Sequence, residues 1–159
     1  MNIVFLDFDG VVNTIQYMEN TRSKKKVGFA YPSDGFVNNR TAIEFVNMLC
    51  DKIDANIVVS STWRIHLTVE ELRTLLANSG CRTYVLDKTP KLKHPKTRGD
   101  EIQQWLDDNK DIVSDFVILD DDSDMAHLSH KLVLVDNILG FHCDTYRDAL
   151  AMFGMKPFE

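Results

Sequence analysis

Four or five short apolar runs rich in Val and Ile, at Asn2–Phe8, Asn56–Ser60, Arg82–Leu86, Phe116–Leu119 and Leu132–Val135, restrict this chain more than any other feature. Runs of this length and β-branched content predict strands. They are nearly continuous in apolarity rather than alternating, which predicts a sheet covered on both faces. The stretches between them have helical spacing. Thr41-Ala-Ile-Glu44 reads as a capping box opening a helix with Phe45, Val46, Leu49 and Ile53 on one face. Thr68-Val-Glu-Glu71 reads as another, followed by Leu72, Leu75 and Leu76 and stopping near Gly80. Ile102, Trp105 and Leu106 mark a third helix after Gly99, and Ala149, Leu150 and Phe153 a fourth ending at Gly154. Strands alternating with helices predict a three-layer α/β fold with a mostly parallel sheet and right-handed crossovers. At 159 residues the expectation is one domain over 1–159. The polar stretch 13–36, with Gly28, Pro32 and Gly35, breaks the alternation and is expected to be a flap over the site.

Ligands of such sheets bind where the strands end, so the residues just past each run matter most. Two acidic groups sit there: Asp7-Phe-Asp9-Gly10 after the first run, and Asp120-Asp121-Asp122-Ser123-Asp124 after the fourth. Carboxylates gathered at neighbouring strand ends repel one another by several kcal/mol at intermediate dielectric unless a positive charge lies among them. Oxygen-only ligands with positions left open for water and phosphate suit Mg²⁺. An EF-hand does not fit, since the Asp120 run lacks the Gly and Glu that its calcium loop requires. The acids are 18 Asp to 6 Glu, a bias toward loops, caps and metal sites.

The remaining composition excludes other classes. A net charge of −6 argues against a protein that coats nucleic acid or anionic membrane nonspecifically. Nine of the 18 cations nevertheless lie in two stretches, Arg22 to Lys26 and Lys88 to Arg98, which would border the same edge of the sheet. Cys50, Cys81 and Cys143 have no Cys-x-x-Cys spacing and are expected to be reduced thiols. The five histidines show no metal-ligand spacing. No apolar run approaches the roughly 18 residues of a membrane span, and Asp7 interrupts the first run before it could act as a signal core, so a cytoplasmic location is expected.

Met1-Asn-Ile-Val-Phe-Leu-Asp-Phe-Asp-Gly-Val-Val-Asn13 resembles the first motif of the haloacid dehalogenase-like (HAD) phosphohydrolases. Ile57-Val-Val-Ser60, leading into Ser61-Thr62-Trp63-Arg64, resembles the second, whose Ser or Thr bonds a phosphoryl group. Arg98, opening Arg-Gly-Asp-Glu-Ile-Gln-Gln-Trp105, stands where the family places its phosphate-binding cation, with Lys96, Lys91 or Lys93 as alternatives. Phe116-Val-Ile-Leu-Asp-Asp121 resembles the fourth motif, whose acids hold Mg²⁺. The motifs occur in the family's order over residues 1–124, and their style is similar to the HAD domains of nucleic-acid repair proteins, including the phosphatase part of polynucleotide kinase/phosphatase.

The resemblance implies a Rossmann-like HAD fold of the small-cap type and a Mg²⁺-dependent phosphomonoester hydrolase. It implies Asp7 as nucleophile and Asp9 as acid and base, Ser60 or Ser61 with Arg98 on the phosphate, and Asp7, Asp9 and Asp120 on the metal, completed by Asp121 or Asp124. Trp63 and Arg64 are expected to be structural or substrate-facing. The implied partner is a phosphorylated nucleotide or polynucleotide end. A small sugar phosphate is the alternative substrate, and a phospho-accepting receiver or binding module the alternative class. Against a receiver stands Asp9, since a general base two residues from the phosphorylated Asp would shorten its life.

Overall fold

The computed structural model describes residues 1–14, 39–93 and 96–157. Its strands are β1 (Asn2–Leu6), β2 (Ala55–Val59), β3 (Val85–Lys88), β4 (Asp115–Asp120) and β5 (Leu132–Leu134). Its α-helices are α1 (Arg40–Ile53), α2 (Val69–Asn78), α3 (Arg98–Asp108) and α4 (Cys143–Met152). All neighbouring strands pair in parallel in the order β3-β2-β1-β4-β5. This is the expected α/β Rossmann-like arrangement, with β1 central and its carboxyl end flanked by those of β2 and β4. The expected flap over 13–36, with its Arg22–Lys26 stretch, falls almost wholly outside the described residues.

The strand alternation sorts the core into two layers. Val4, Leu6, Ile57, Val59, Val117 and Leu119 belong to a buried cluster with α1, α2 and α4. Ile3, Phe5, Val58 and Ile118 belong to a second cluster with Ile102 and Trp105 of α3. Phe5 meets Trp105 edge-on at 5.5 Å, and the Trp105 indole donates to Asp87 Oδ2 at 2.7 Å. Helix α3 is thereby fixed against the face of the sheet on which the next residues along β1, β2 and β4 emerge.

Three sequence expectations are corrected at element ends. Asn39, not Thr41, caps α1: its Oδ1 accepts from Thr41 N at 3.0 Å and from Ala42 N at 3.4 Å. Asn is at least as good a cap as Thr, so the helix begins two residues earlier than the Thr41–Glu44 box implied. Helix α3 starts at Arg98 rather than after Gly99, because Thr97 and Asp100 form a capping box. Strand β3 lies later than Arg82–Leu86. Arg82 is drawn toward α1, its N–H donating to Asn47 Oδ1 and its guanidinium to Glu44. The box at Thr68–Glu71 forms as expected. Cys50 and Cys81 are buried, Cys143 is exposed, and all three are free thiols. No helix among the described residues is long and apolar enough to cross a membrane.

Candidate active site

Register brings the site together. Leu6 pairs with Val59 on one side and Leu119 on the other, and the ladder continues through Ser60 N to Leu6 O and Asp7 N to Leu119 O, both 3.0 Å. Asp7, Ser60 and Asp120 therefore stand in one row at the carboxyl edge. By the alternation they share the face of Phe5, Val58 and Ile118, which α3 covers. All three are buried.

Arg98, the first residue of α3, reaches into this row. Its Nη1 lies 2.8 Å from Asp7 Oδ1 and 2.8 Å from Asp120 Oδ2. Burial would lower the Arg98 pKa, but Asp7 and Asp120 outweigh it and hold it above the ordinary value. The helix end is placed by the chain after β4: Arg98 N donates to Asp124 Oδ2 at 3.4 Å and Gly99 N to Asp124 O at 3.1 Å. Only glycine fits at 99, since a Cβ there would lie 2.0 Å from Met125 O.

Carboxylate oxygens of Asp7, Asp120 and Asp121 lie within 4.8 Å of one another, a set that could hold a metal ion. Asp124 is instead turned to the start of α3. Burial first, and then the Asp7 charge, push the Asp120 carboxyl up to about 7, against the opposing pull of Arg98. The same two causes raise Asp121. Among the described residues a single guanidinium thus leaves three acids short of positive charge, and an all-oxygen donor set of this kind fits Mg²⁺. Asp121 is brought in by the loop at Gly10, whose φ of 84° and contact with the Asp121 carboxylate leave no room for a side chain. The other cluster of potential ligands among the described residues, His142, Cys143 and Asp144, sits at the start of α4, where His142 Nδ1 accepts from Asp144 N and so caps the helix.

Asp9 lies one turn beyond Asp7 in a tight loop in which Phe8 O accepts from the N–H groups of Val11, Val12 and Asn13. Its carboxylate is exposed and held at both oxygens, Oδ1 by Asn13 Nδ2 and Oδ2 by Trp63 Nε1, each at 2.9 Å. Ser60 Oγ is fully buried and has no hydrogen-bond partner among the described residues. Ser61 Oγ caps the 3₁₀ turn Thr62–Ile65 by accepting from Trp63 N.

Arg64, left open between two roles, is 3% exposed and structural. It donates to the carbonyls of Ser60, Ser61, Thr89 and Pro90 and pairs with Glu101 of α3. The basic stretch from Lys88 is likewise largely committed. Lys88 Nζ donates to the carbonyls of Arg64 and Leu67, and Lys91 pairs with Glu101 at 3.2 Å. Lys93 and Lys96 line a shallow cavity along α3 with Asp100 and Asp107. Among the described residues Arg98 is the cation in contact with the carboxylate row.

A family model for the HAD domain in Swiss Army Knife RNA repair proteins matches residues 3–145. The chain belongs to this family. Its match takes in β1 from its second residue, the other four strands, α1 to α3 and the first turn of α4. No curated protein and no solved structure shows a significant likeness to the chain. Membership implies a phosphohydrolase type of function, and HAD domains generally use Mg²⁺, for which this HAD domain offers Asp7, Asp120 and Asp121.

Two polar residues beside the site carried no role in the sequence reading. Asn13 lay within the first motif, but its contact with Asp9 depends on the turn that Gly10 makes. Thr89 continues the ladder beyond β3, with its N–H on Val59 O and its hydroxyl buried without a partner among the described residues. Placing β3 at Arg82–Leu86 put Thr89 outside the strand.

Proposed function

We propose that this HAD domain is a Mg²⁺-dependent phosphomonoesterase working through a phosphorylated Asp7, with a nucleotide or polynucleotide phosphate end as substrate. The carrying observation is Asp7 beside Asp120 on adjacent parallel strands, bridged by Arg98 and within ligand distance of Asp121. Asp7 attacks phosphorus, forming an O–P bond while the bond to the leaving oxygen breaks. Asp9 gives that oxygen a proton, then takes one from the water that hydrolyses the aspartyl-phosphate. Ser60, whose buried hydroxyl is unpartnered, and Arg98 orient the phosphoryl oxygens. Asp7, Asp120, Asp121 and the Asp9 backbone carbonyl would hold Mg²⁺, which when bound supplies positive charge against the phosphoryl oxygens.

The repair setting of the family supports a nucleic-acid phosphate end over a small sugar phosphate. p-Nitrophenyl phosphate hydrolysis with Mg²⁺, with EDTA and with Asp7→Asn tests the chemistry. Turnover should require the metal and vanish in the variant; retained turnover in Asp7→Asn excludes Asp7 as nucleophile. Nucleoside 3′- and 5′-monophosphates, sugar phosphates and 3′-phosphorylated oligonucleotides then test the substrate. A preference for sugar phosphates overturns the nucleic-acid assignment.

A further inference from the structure

We propose that Trp63 is the positioning residue of the acid–base carboxylate, holding Asp9 Oδ2 through its indole N–H and thereby making Oδ1 the oxygen that carries the transferred proton. The inference rests on the phosphatase reading above. The indole nitrogen can only donate a hydrogen bond. A carbonyl oxygen accepts better than a hydroxyl oxygen, so the indole facing Oδ2 at 2.9 Å favours a proton on the opposite oxygen of Asp9. That oxygen faces Asn13, whose amide can donate to a carboxylate or, turned over, accept from a carboxylic acid. Asn13 Oδ1 is buried with no partner among the described residues, so turning the amide breaks no bond at its carbonyl end there. The two partners of Asp9 are thus unlike: the indole can only donate, whereas the amide can donate or accept.

Trp63 is built to hold its position. It lies in the 3₁₀ turn Thr62–Ile65, which Ser61 caps, and its neighbour Arg64 is fastened to both strand ends and to α3. Its ring packs against that of Phe8, with centroids 6.2 Å apart, so it touches the residue before Asp9 as well as Asp9 itself. A donor fixed this way keeps the acid in one orientation without reorganisation during the reaction.

The test uses a series of phenyl phosphates with 4-nitro, unsubstituted and 4-methoxy rings, which differ in how much the leaving oxygen needs a proton. Trp63→Phe removes the N–H, and a tryptophan analogue with sulfur in place of the N–H does so while keeping ring size. In both proteins kcat/KM should fall by about tenfold more for the 4-methoxy than for the 4-nitro ester, within the range of general acid catalysis. In an Asp9→Asn background the same replacements should change nothing. Equal losses across the series, wild-type rates in the variants, or losses that persist with Asp9→Asn would each overturn the Trp63 assignment and leave the phosphatase reading standing. Absence of Mg²⁺-dependent turnover in the folded wild-type protein overturns that reading, and the Trp63 assignment with it.

Discussion

Ser60 and Ser61 are adjacent in the chain and differ in what their hydroxyls do. Ser60 Oγ is buried with no partner among the described residues, whereas Ser61 Oγ accepts from Trp63 N and caps the start of the 3₁₀ turn. An unsatisfied buried hydroxyl adds no stability, so Ser60→Ala should leave the unfolding free energy unchanged or slightly raised. If it donates to a phosphoryl oxygen, the same change should lower kcat/KM on the order of a hundredfold. Ser61→Ala should do the reverse, costing about 1 kcal/mol through the lost cap, with a smaller kinetic effect. Urea titration and steady-state kinetics on the two variants separate the roles; a kinetic loss confined to Ser61→Ala would move the phosphate contact there. The sequence left both open because a one-residue difference in strand length exchanges them. Register favours Ser60 in this role, since Val59 pairs with Leu6 and Ser60 thus falls level with Asp7.

Arg64 acts at the scale of elements. Its planar group spans the carbonyls past the ends of β2 and β3 and meets Glu101 one turn into α3. Burial lowers its pKa and the Glu101 charge opposes that, which makes the pair a mutual dependence within the fold. Arg64→Lys keeps the charge and loses the fork, so several carbonyls and Glu101 lose their donor together. Breaking a buried pair of this kind costs about 3 kcal/mol, read from the urea midpoint. An unchanged midpoint would mean that the surrounding carbonyls find other donors. Local signals of this sort were legible only in part. The box at Thr68 and Glu71 could be read directly, because capping is settled within four residues. Arg64 could not, because Glu101 lies 37 positions away and approaches only when α3 docks through Trp105 and Ile102. Asn39 shows the intermediate case: two good capping residues stand two positions apart, and the chain uses the earlier.

At the scale of the whole molecule, the order β3-β2-β1-β4-β5 sets β4 beside β1 although more than a hundred residues separate them. Apolar runs reveal strands but not their neighbours, so the meeting of Asp7 with Asp120 was legible through the resemblance rather than through periodicity. The position of Arg98 between them depends on both Thr97 capping and the contact of Gly99 with Met125, neither of which leaves a periodic trace. That meeting couples the site to global stability. The folded protein holds the Asp120 proton up to about 7, while the ordinary value is 3.8. Between those values the native state binds more protons than the unfolded chain, so the Asp120 contribution to stability falls as pH rises from about 4 to about 7. In EDTA, Asp120→Asn should match the wild type near the lower end of this window. The variant should exceed it progressively toward pH 8, because an amide has no charge to bury. Mg²⁺ should raise wild-type stability most at the upper end, where the ligands are ionised, and raise the variant's less. Urea unfolding at several pH values, with and without the metal, measures all four curves; parallel wild-type and variant curves in EDTA would remove Asp120 as the linked group.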